Sequence, residues 1–499
     1  MSLIQFLKKL NNIQRLVLVF CFLAALRVFL FAAAYPFFGN ADEWAHFDMV
    51  IKYRHGHFPK SLETVSPESA RYIATYSSLE YMLKKDNIPG KQFPLPLWKQ
   101  PKEKVQEGID KNIALWCTYP NHESTMPPLY YLLAGMWTNL GLLFGANGIG
   151  LLYWIRFLNV ILAALLVWLA YLAALALFPK SRIMLLGVPL LAAILPQDSF
   201  YSIQSDVLSP VCFGLAFLGM IRLMRNENVR LQTAILTGLA IVATVFVKTS
   251  NLPLVALVIL FVLYKVYLHL KERKPFSSLL PTALFALCAL LPVLIWFAWN
   301  LYHYGDLTAS EGKIVLQGWT HKPLKDFLHH PFFTLHGAWT FWAYLMTSFW
   351  RGELVWAGAQ VGMFATDIFY WVSTLVFVVV ASLGIRRIVD NDQRRMIWFA
   401  LWCFVFFVLY LLLLSLSFDF GKCFYPSKEF PYFVSGRLIS AALIPLLLLY
   451  VQGLKRSLFW IKNESLQFTV LIAIAVFITV SEIIVNWLVF ASQYNFFHL

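Results

Sequence analysis

Long runs of apolar residues recur along the whole chain and are separated by short polar segments. A helix needs roughly 20 apolar residues to cross the hydrocarbon core of a bilayer, and most of these runs approach or exceed that length. The pattern therefore predicts an all-α polytopic membrane protein with about eleven transmembrane helices. The predicted spans are Leu16–Ala34, Gly150–Phe178, the shorter Ile183–Leu195, Val207–Leu223, Leu231–Val247, Pro253–Leu270, Ser277–Trp299, Ile368–Ile385, Met396–Ser417, Leu438–Leu454 and Leu466–Phe490.

Two further apolar segments, Pro127–Phe144 and Pro331–Trp350, are rich in aromatic residues, which suit a membrane interface as well as a span. Lys and Arg cluster in short segments between the predicted spans, and such basic segments stay in the cytoplasm. All of them fall on the cytoplasmic side, together with the N-terminus, only if neither ambiguous segment crosses fully. If both cross, thirteen helices result. The favoured topology is a single transmembrane domain of residues 1–499, with long external loops at about 35–149 and 300–367.

The composition excludes a soluble enzyme and changes how the net charge is interpreted. Of 499 residues, 60% are hydrophobic and only 13% are charged, whereas soluble domains carry about 25% charged residues. The formal net charge of +14, taken alone, would fit nucleic acid or anionic lipid. The excess cations lie in the predicted cytoplasmic segments, and the remaining charges balance. The charge therefore indicates orientation and contact with membrane lipids, without a nucleic-acid partner.

The six cysteines show no metal-binding spacing. Four of them lie in predicted spans, where cysteine packs as a small apolar residue. Cys117 and Cys423 both fall in predicted external segments, where a disulfide would persist. The sequence leaves open whether these two form a bond.

An acidic segment, Asp42-Glu43-Trp44-Ala45-His46, opens the first external loop directly after the first span. Charged groups near the membrane are costly unless they are solvated, paired or used. A helix that starts near Asn40 would place Asp42 and His46 on one face, because residues four apart share a face. The segment would then project a carboxylate and an imidazole into one cleft, with Glu43 beside them. Acids at a helix start also act as caps, so both interpretations stay open.

Other polar residues lie at the predicted outer ends of spans. Four of them are cations on the side that the positive-inside rule disfavours. One such cation is usually an anchor whose charged head reaches water, but four together predict a common anionic ligand outside the membrane. The polar residues are His122, Glu123, Tyr130, Asp206 and Asn300, and the cations are Arg156, Lys248, Arg351 and Arg437.

In the order of these short motifs, the chain resembles the GT-C superfamily of polytopic glycosyltransferases, which use polyprenyl-phosphate sugars. It is most similar there to a family of predicted bacterial membrane proteins related to protein O-mannosyltransferases and aminoarabinose transferases. The resemblance implies juxtamembrane helices in the first loop and an active site on the extracytoplasmic face of the bacterial inner membrane. The motifs that carry it are Asp42-Glu43 with His46-Phe47, Pro127-Pro128-Leu129-Tyr130-Tyr131, Arg156, Ser205-Asp206, Lys248-Thr249, Asn300 to Asp306, Ser348-Phe349-Trp350 and Gly436-Arg437.

The resemblance also implies a reaction. A polyprenyl-phosphate sugar would be the donor, and a hydroxyl of a glycan, lipid or protein would be the acceptor. Asp42 would take the hydroxyl proton as attack proceeds, with Glu43 tuning it, and the anomeric carbon would invert. Cations would stabilise the leaving phosphate as it gains charge. The expected phosphate ligands are Arg156, Lys248, Arg351 and Arg437, and the expected donor or acceptor contacts are His46, His122, Tyr130, Asp206 and Asn300.

No cofactor is certain from the sequence, and other functions stay open. A divalent metal fits the first loop, because its carboxylates and imidazoles are suitable ligands. A lipid-linked oligosaccharide ligase or polymerase is one alternative, although such enzymes typically rely on arginines in a later loop. A transporter or flippase is less favoured, since it would carry ionisable residues deep in several spans, and here the main ones are Arg27 and Glu482.

Overall fold

The computed structural model describes residues 11–39, 42–225, 230–273, 275–421, 423 and 425–497. Helices make up nearly all of the regular structure in these residues, which confirms the all-α prediction. In chain order the helices are α1 (Asn12–Ala34), α2 (Glu43–Arg54), α3 (Pro67–Tyr76), α4 (Lys102–Trp116), α5 (Leu129–Leu143), α6 (Gly148–Leu177), α7 (Arg182–Ala193), α8 (Ser209–Arg225), α9 (Leu231–Val245), α10 (Pro253–Lys271), α11 (Leu280–Tyr304), α12 (Glu311–Leu316), α13 (Leu335–Arg351), α14 (Phe364–Gly384), α15 (Asn391–Ser417), α16 (Leu443–Ser457) and α17 (Glu464–Phe490).

Nine helices in the described part of the chain, not eleven, are long and apolar enough to cross a membrane when the 3-10 turns that adjoin α8, α10, α11, α14 and α16 are counted with them. The two predicted spans that fall short are α7 and α9, with 12 and 15 residues. At 1.5 Å per residue they measure about 18 and 22 Å, less than the roughly 30 Å hydrocarbon core. Pro196 follows α7 closely and disfavours continuation of that helix. Helix α9 ends just before Lys248, where the chain forms a turn.

The two ambiguous segments form helices α5 and α13, which have 15 and 17 residues. Both fall below the length of the nine candidate spans. Their length agrees with the prediction that neither crosses fully.

Helix α16 lies at the centre of the bundle. The apolar window that contains it is 89% buried, compared with 28% for the windows of α1 and α17. A glycine allows its neighbour to approach closely, because a Cβ built on Gly453 would lie 1.9 Å from the carbonyl oxygen of Phe377 on α14. The core is therefore organised around α16, and the first and last helices lie at the periphery.

The two ionisable residues expected within spans neutralise each other. Arg27 Nη1 on α1 lies 3.0 Å from Glu482 Oε1 on α17. The Tyr201 hydroxyl donates to the same carboxylate and accepts from Arg27. Charges at membrane depth are tolerated when they are paired in this way. This cluster joins α1 and α17, the first and last helices among the described residues.

The long connections contain the few short strands, and they contact each other. Thr320–His321 pairs with Phe418–Asp419, and Val355–Trp356 forms a hairpin with Ala359–Gln360, all antiparallel. All six cysteines are free. A disulfide between Cys117 and Cys423 is therefore not formed: Cys117 packs on the main core and Cys423 on a separate cluster beside Phe420.

Candidate active site

Asp42 stands at the first position before α2 in the left-handed conformation, with φ 65°, which aspartate tolerates better than most residues. The helix begins at Glu43, and the predicted start near Asn40 falls outside the described residues. The Asp42 side chain does not cap α2. Its Oδ2 instead accepts a hydrogen bond from Arg437 Nη2 at 2.8 Å. The cap interpretation of Asp42 is therefore wrong, and the carboxylate lies beside a cation.

The end of the first long loop is fastened to α2 by Asn121. Its amide nitrogen donates to the carbonyl oxygen of Ala45 at 2.9 Å and to Oδ2 of Asp48 at 2.8 Å. All three residues are fully buried. Because His122 and Glu123 follow directly in the chain, this contact holds both of them against the start of α2.

A chain of acidic and basic side chains, the Asp42 cluster, results from this arrangement. His122 Nε2 lies 3.5 Å from Asp42 Oδ1 and 3.7 Å from Glu123 Oε1. On the far side, Glu123 pairs with Lys313 Nζ at 2.8 Å, and its other oxygen lies 3.9 Å from His46 Nδ1. His122 therefore lies between Asp42 and Glu123, and His46 lies on the other side of Glu123. The second long loop contributes through Lys313.

His46 is a buried member of the Asp42 cluster. It is fully buried, and Nδ1 lies 2.8 Å from the Tyr131 hydroxyl. Burial lowers the pKa of His46 to about 4, against the opposing charge of Glu123. The imidazole is therefore neutral at physiological pH. Its Nε2 has no hydrogen-bond partner among the described residues.

The carboxylates of the Asp42 cluster are held ionised by the cations around them. Burial acts to raise the pKa of Asp42, but the hydrogen bond and charge of His122, with the charges of Arg437 and Lys313, hold it well below its usual range. Burial of Glu123 is likewise outweighed, chiefly by Lys313, and its pKa is lowered. Both groups therefore carry a negative charge at neutral pH.

Arg437 lies between acidic groups from two other segments. Besides Asp42, Glu353 Oε2 lies 3.4 Å from its Nε, and Glu353 also accepts from the Ser435 hydroxyl at 2.5 Å. Only 14% of the Arg437 side chain is exposed, whereas 36% of the Asp42 side chain is. The pair therefore forms a partly open site where a ligand can reach both charges.

Asp198 is a further buried acid beside this site. Its Oδ2 accepts the backbone N–H of Glu353 at 2.9 Å. Burial, with the charge of Glu353, raises the pKa of Asp198 to about 7, although Arg437 opposes this. The charge of Asp198 therefore changes near neutral pH, close to Arg437.

Lys248 and Asp206 form a pair at the ends of α9 and α8. Lys248 Nζ lies 2.8 Å from Asp206 Oδ2, and both side chains are almost completely buried. In the short turn before α8, the Asp206 carbonyl oxygen also accepts a hydrogen bond from the Ser440 hydroxyl at 3.1 Å. The two predicted site residues are thus brought together near Arg437, with Lys248 already neutralised.

Glu43 and Arg156 form a fully buried, two-point ion pair. Arg156 Nε and Nη2 each lie 2.7 Å from one oxygen of Glu43, and neither side chain is exposed. The backbone N–H groups of Phe38 and Ile203 donate to Glu43 at 2.9 Å each. The remaining Arg156 donors bind backbone carbonyl groups. The prediction that Arg156 binds phosphate is therefore not supported, and Glu43 has no free oxygen for chemistry.

Of the other three predicted site residues, Arg351 and Asn300 have partners outside the Asp42 cluster, and Tyr130 packs beside it. Arg351 pairs with Asp367, with Nε 2.8 Å from Oδ1. Asn300 donates to the Leu307 carbonyl oxygen at 2.9 Å and so shapes the turn after α11. Tyr130 is fully buried at the start of α5, with its ring against Tyr131. None of the three hydrogen-bonds to Asp42 or Arg437 in the described part of the chain.

Three functional candidates were not predicted from the sequence: Lys313, Glu353 and Asp198. Lys313 lies in α12 within the second loop, 190 residues from its partner Glu123. Glu353 ends the Arg351-Gly352-Glu353 segment, in which only the arginine was a predicted site residue. The only available signal was that Glu353 and Asp198 are acids close to predicted spans.

The described residues contain no group of three or more His, Cys, Asp or Glu side chains arranged to hold a metal ion. In the first loop, Glu43 is committed to Arg156 and Glu123 to Lys313. Asp42 and His122 are the remaining acid and imidazole that lie next to each other, with Oδ1 and Nε2 3.5 Å apart.

Comparison with solved structures gives a modest fold similarity. The apo oligosaccharyltransferase of Archaeoglobus fulgidus aligns with a TM-score of 0.48 and 11% identity, covering 98% of this chain and 56% of that one. The same organism's oligosaccharyltransferase AglB, in complex with an inhibitory peptide and a dolichol-phosphate, gives 0.39 and 12% identity, covering 94% and 56%. The chain thus spans about half the length of these proteins.

Among curated proteins, none matches the sequence of this chain. The family described as "Predicted membrane protein (DUF2142)" matches residues 25–425, which is most of the chain. The match begins within α1 and ends beyond α15, so it includes Asp42 and most of the site. The chain therefore belongs to the DUF2142 family of predicted membrane proteins.

Proposed function

We propose that this protein is a membrane glycosyltransferase of the GT-C type. It transfers a sugar from a polyprenyl-phosphate donor to an acceptor hydroxyl, with inversion at the anomeric carbon. The acceptor belongs to a glycan, a lipid or a protein. The reaction takes place on the extracytoplasmic face of a bacterial inner membrane.

The observation that carries this proposal is the partly exposed ion pair of Asp42 and Arg437, 2.8 Å apart. Glycosyl transfer from a lipid phosphate needs a base for the hydroxyl and a cation for the leaving phosphate. The pair supplies both groups at one point, and both are ionised at neutral pH. An arginine fork also matches phosphate geometry better than an ammonium does.

The proposed reaction is a single displacement. The acceptor oxygen attacks the anomeric carbon, and the bond from that carbon to the phosphate oxygen breaks. The hydroxyl proton passes to Asp42, and the negative charge that develops on the polyprenyl phosphate is stabilised by Arg437. One catalytic carboxylate suffices, because no second displacement returns the sugar to its original configuration.

Donor binding would also activate the base. While Asp42 is paired with Arg437, its low pKa makes it a weak base. A donor phosphate would compete for the guanidinium and would bring negative charge close to Asp42. Both changes raise the carboxylate's pKa, so its basicity increases only when the donor is in place.

An apolar groove of about 470 Å³ adjoins the Asp42 cluster and fits the proposed donor. Met126 lies in its wall, and its backbone N–H donates to the backbone carbonyl oxygen of Glu123 at 3.0 Å. On the other side, the Thr249 hydroxyl contacts Met126 Sδ at 3.2 Å, next to Lys248. A polyprenyl chain bound there would have its phosphate near the cations of the site. The other lining residues include Tyr53, Phe58, Phe246, Ile295, Trp296 and Trp299.

The test is sugar transfer by the full-length protein in nanodiscs. A panel of radiolabelled polyprenyl-phosphate sugars is offered with membrane extracts as the source of acceptor. We expect transfer with at least one donor, and Asp42→Asn should lower the rate about 100-fold or more, the usual contribution of a general base.

Asp86→Asn is the matched control. Asp86 lies in the same long loop, but its side chain is 80% exposed and pairs only loosely with Lys91 at 3.4 Å. This variant should keep full activity. Normal activity of Asp42→Asn, with both variants equally folded by gel filtration, would reject the assigned base.

A further inference from the structure

A second, larger cavity of about 940 Å³ lies at the opposite face of the bundle from the Asp42 cluster. Helices α8 and α10 begin beside Asp206 and Lys248 and end at Arg225 and Lys271. The cavity is lined by the distal end of α8, by α10 from Leu257 onward, by the start of α11 and by α15 from Asp392 to Phe406. Its volume is at the upper end of the roughly 300–1,000 Å³ of small-molecule sites.

The cavity wall changes from polar to apolar with depth. On α15, Arg395 lies at the cavity mouth, and Trp398, Trp402 and Phe406 follow it on the same helix face. The eleven steps along the helix from Arg395 to Phe406 rise about 16 Å, which is about half of the hydrocarbon core of a bilayer. The lining therefore has the polarity and the length of one phospholipid in one leaflet.

Helix α10 repeats the same order from its end inward. Lys265 and His269 lie near the end of the helix, and Phe261 and Leu257 lie further in. Lys265 Nζ donates to the Leu223 carbonyl oxygen at 3.2 Å, and this hydrogen bond joins α10 to α8 beside the cavity. Two separate helices thus present the same gradient to the cavity.

His269 adds an independent sign of a ligand. The residue lines the cavity and is 6% exposed. Its Nδ1 lies 3.1 Å from the Ser278 hydroxyl, but Nε2 has no hydrogen-bond partner among the described residues. A buried polar atom without a partner is unfavourable. A phosphate or ester oxygen in the cavity would satisfy it.

We propose that this cavity binds an anionic glycerophospholipid of the leaflet opposite to the Asp42 face. The phosphate lies at the mouth between Arg225 and Arg395, His269 donates to a phosphate or ester oxygen, and an acyl chain follows Trp402 and Phe406 inward. Asp392 lies 3.7 Å from Arg395, but both side chains are about half exposed, so their pairing is weak and a phosphate can compete. The site is independent of the proposed glycosyl transfer.

Lipid retention by the full-length protein tests this site. The protein is reconstituted in phosphatidylcholine nanodiscs that contain phosphatidylglycerol, and bound lipid is counted by native mass spectrometry. Each cation near a membrane surface attracts anionic lipid by an amount that corresponds to a few-fold change in affinity. The double variant Arg225→Gln/Arg395→Gln should therefore bind phosphatidylglycerol about thirty-fold more weakly.

The double variant Arg182→Gln/Arg386→Gln is the control, because it removes two exposed cations from the same basic face outside the cavity. It should retain phosphatidylglycerol like the unmodified protein. Equal loss of lipid from both double variants would overturn the proposal, because the attraction would then be a general surface effect.

Photolabelling gives a second, direct test. Phosphatidylglycerol with a diazirine at the end of one acyl chain should label α15 at Trp402 and Phe406, and α10 at Leu257. Labelling spread evenly onto exposed residues of α17, such as Val476 and Ile484, would show an ordinary lipid belt and reject the site.

Discussion

Arg437 Nη2 donates to Asp42 Oδ2 at 2.8 Å and joins two residues that lie 395 positions apart in the chain. The contact places the segment just before α16 against the residue that precedes α2. It also sets two charged groups side by side, with 36% of the Asp42 side chain and 14% of the Arg437 side chain exposed.

Arg437→Gln should raise the KM for the lipid donor about tenfold to a hundredfold, while the KM for the acceptor changes little. The reason is that a hydrogen bond to a charged group contributes about 1.5–3 kcal/mol, and only the donor carries the phosphate. Initial rates measured at varied donor and varied acceptor separate the two constants. Arg351→Gln is the control, since Arg351 pairs with Asp367; an equal rise in the acceptor KM would contradict a phosphate role for Arg437.

Glu43→Gln should destabilise the protein, and Asp42→Asn should not. The first change leaves the buried Arg156 without its partner, which costs about 3–5 kcal/mol. The second removes a pair that is partly exposed, worth about 1 kcal/mol or less. Thermal unfolding in detergent measures both. If the two variants lost stability equally, Glu43 and Asp42 would not have the separate structural and chemical roles assigned to them.

The pH dependence of stability should contain a contribution from Asp198 that falls as pH rises. Its folded pKa of about 7 lies above the usual value of about 3.9. Between these two pH values the unfolded chain has released the proton and the folded chain retains it. Stability therefore decreases with rising pH across this window.

His46 contributes a pH dependence of stability in the opposite direction, so the contribution of Asp198 has to be measured as the difference between a variant and the unmodified protein. Its folded pKa of about 4 lies below the usual value of about 6.5. The unfolded chain binds the extra proton in between, so stability increases with rising pH there. Asp198→Asn removes only the falling contribution. Chemical unfolding should show a steeper rise between pH 4 and 6.5 in this variant than in the unmodified protein, and identical slopes would contradict the assignment.

Lys313 and Glu123 should be energetically coupled across the two long loops. Glu123 is almost completely buried and Lys313 is 22% exposed, so removal of one charge leaves the other poorly compensated. A double-mutant cycle with Lys313→Met and Glu123→Gln should give a coupling of about 0.5–3 kcal/mol in thermal unfolding.

Lys111 and Glu107 provide the matched cycle. They are 2.7 Å apart on α4, but both are at least 75% exposed, so Lys111→Met with Glu107→Gln should give about 0.5 kcal/mol or less. Similar coupling in both cycles would mean that the Lys313 pair does not hold the loops together.

The sequence by itself determined the class of the protein, because the length of an apolar run is a local property that decides whether a helix fits a bilayer. It located Asp42, His122 and Arg437 for the same kind of reason: they are charged or polar groups where a span ends. It overestimated the number of full-length spans, since α7 and α9 are shortened by Pro196 and by the Lys248 turn.

Only the tertiary structure decided which charges face a ligand. Arg156 and Arg437 look alike in sequence. All the donors of Arg156 are bonded to the Glu43 carboxylate and to three backbone carbonyl groups. Arg437 pairs with Asp42, and this pair is partly exposed. Lys313 could not be found at all, because its partner lies 190 residues away. A pattern along the chain reports which groups are present. The packing of distant segments sets their burial and their partners, and these two quantities decide whether a charge is structural or chemical.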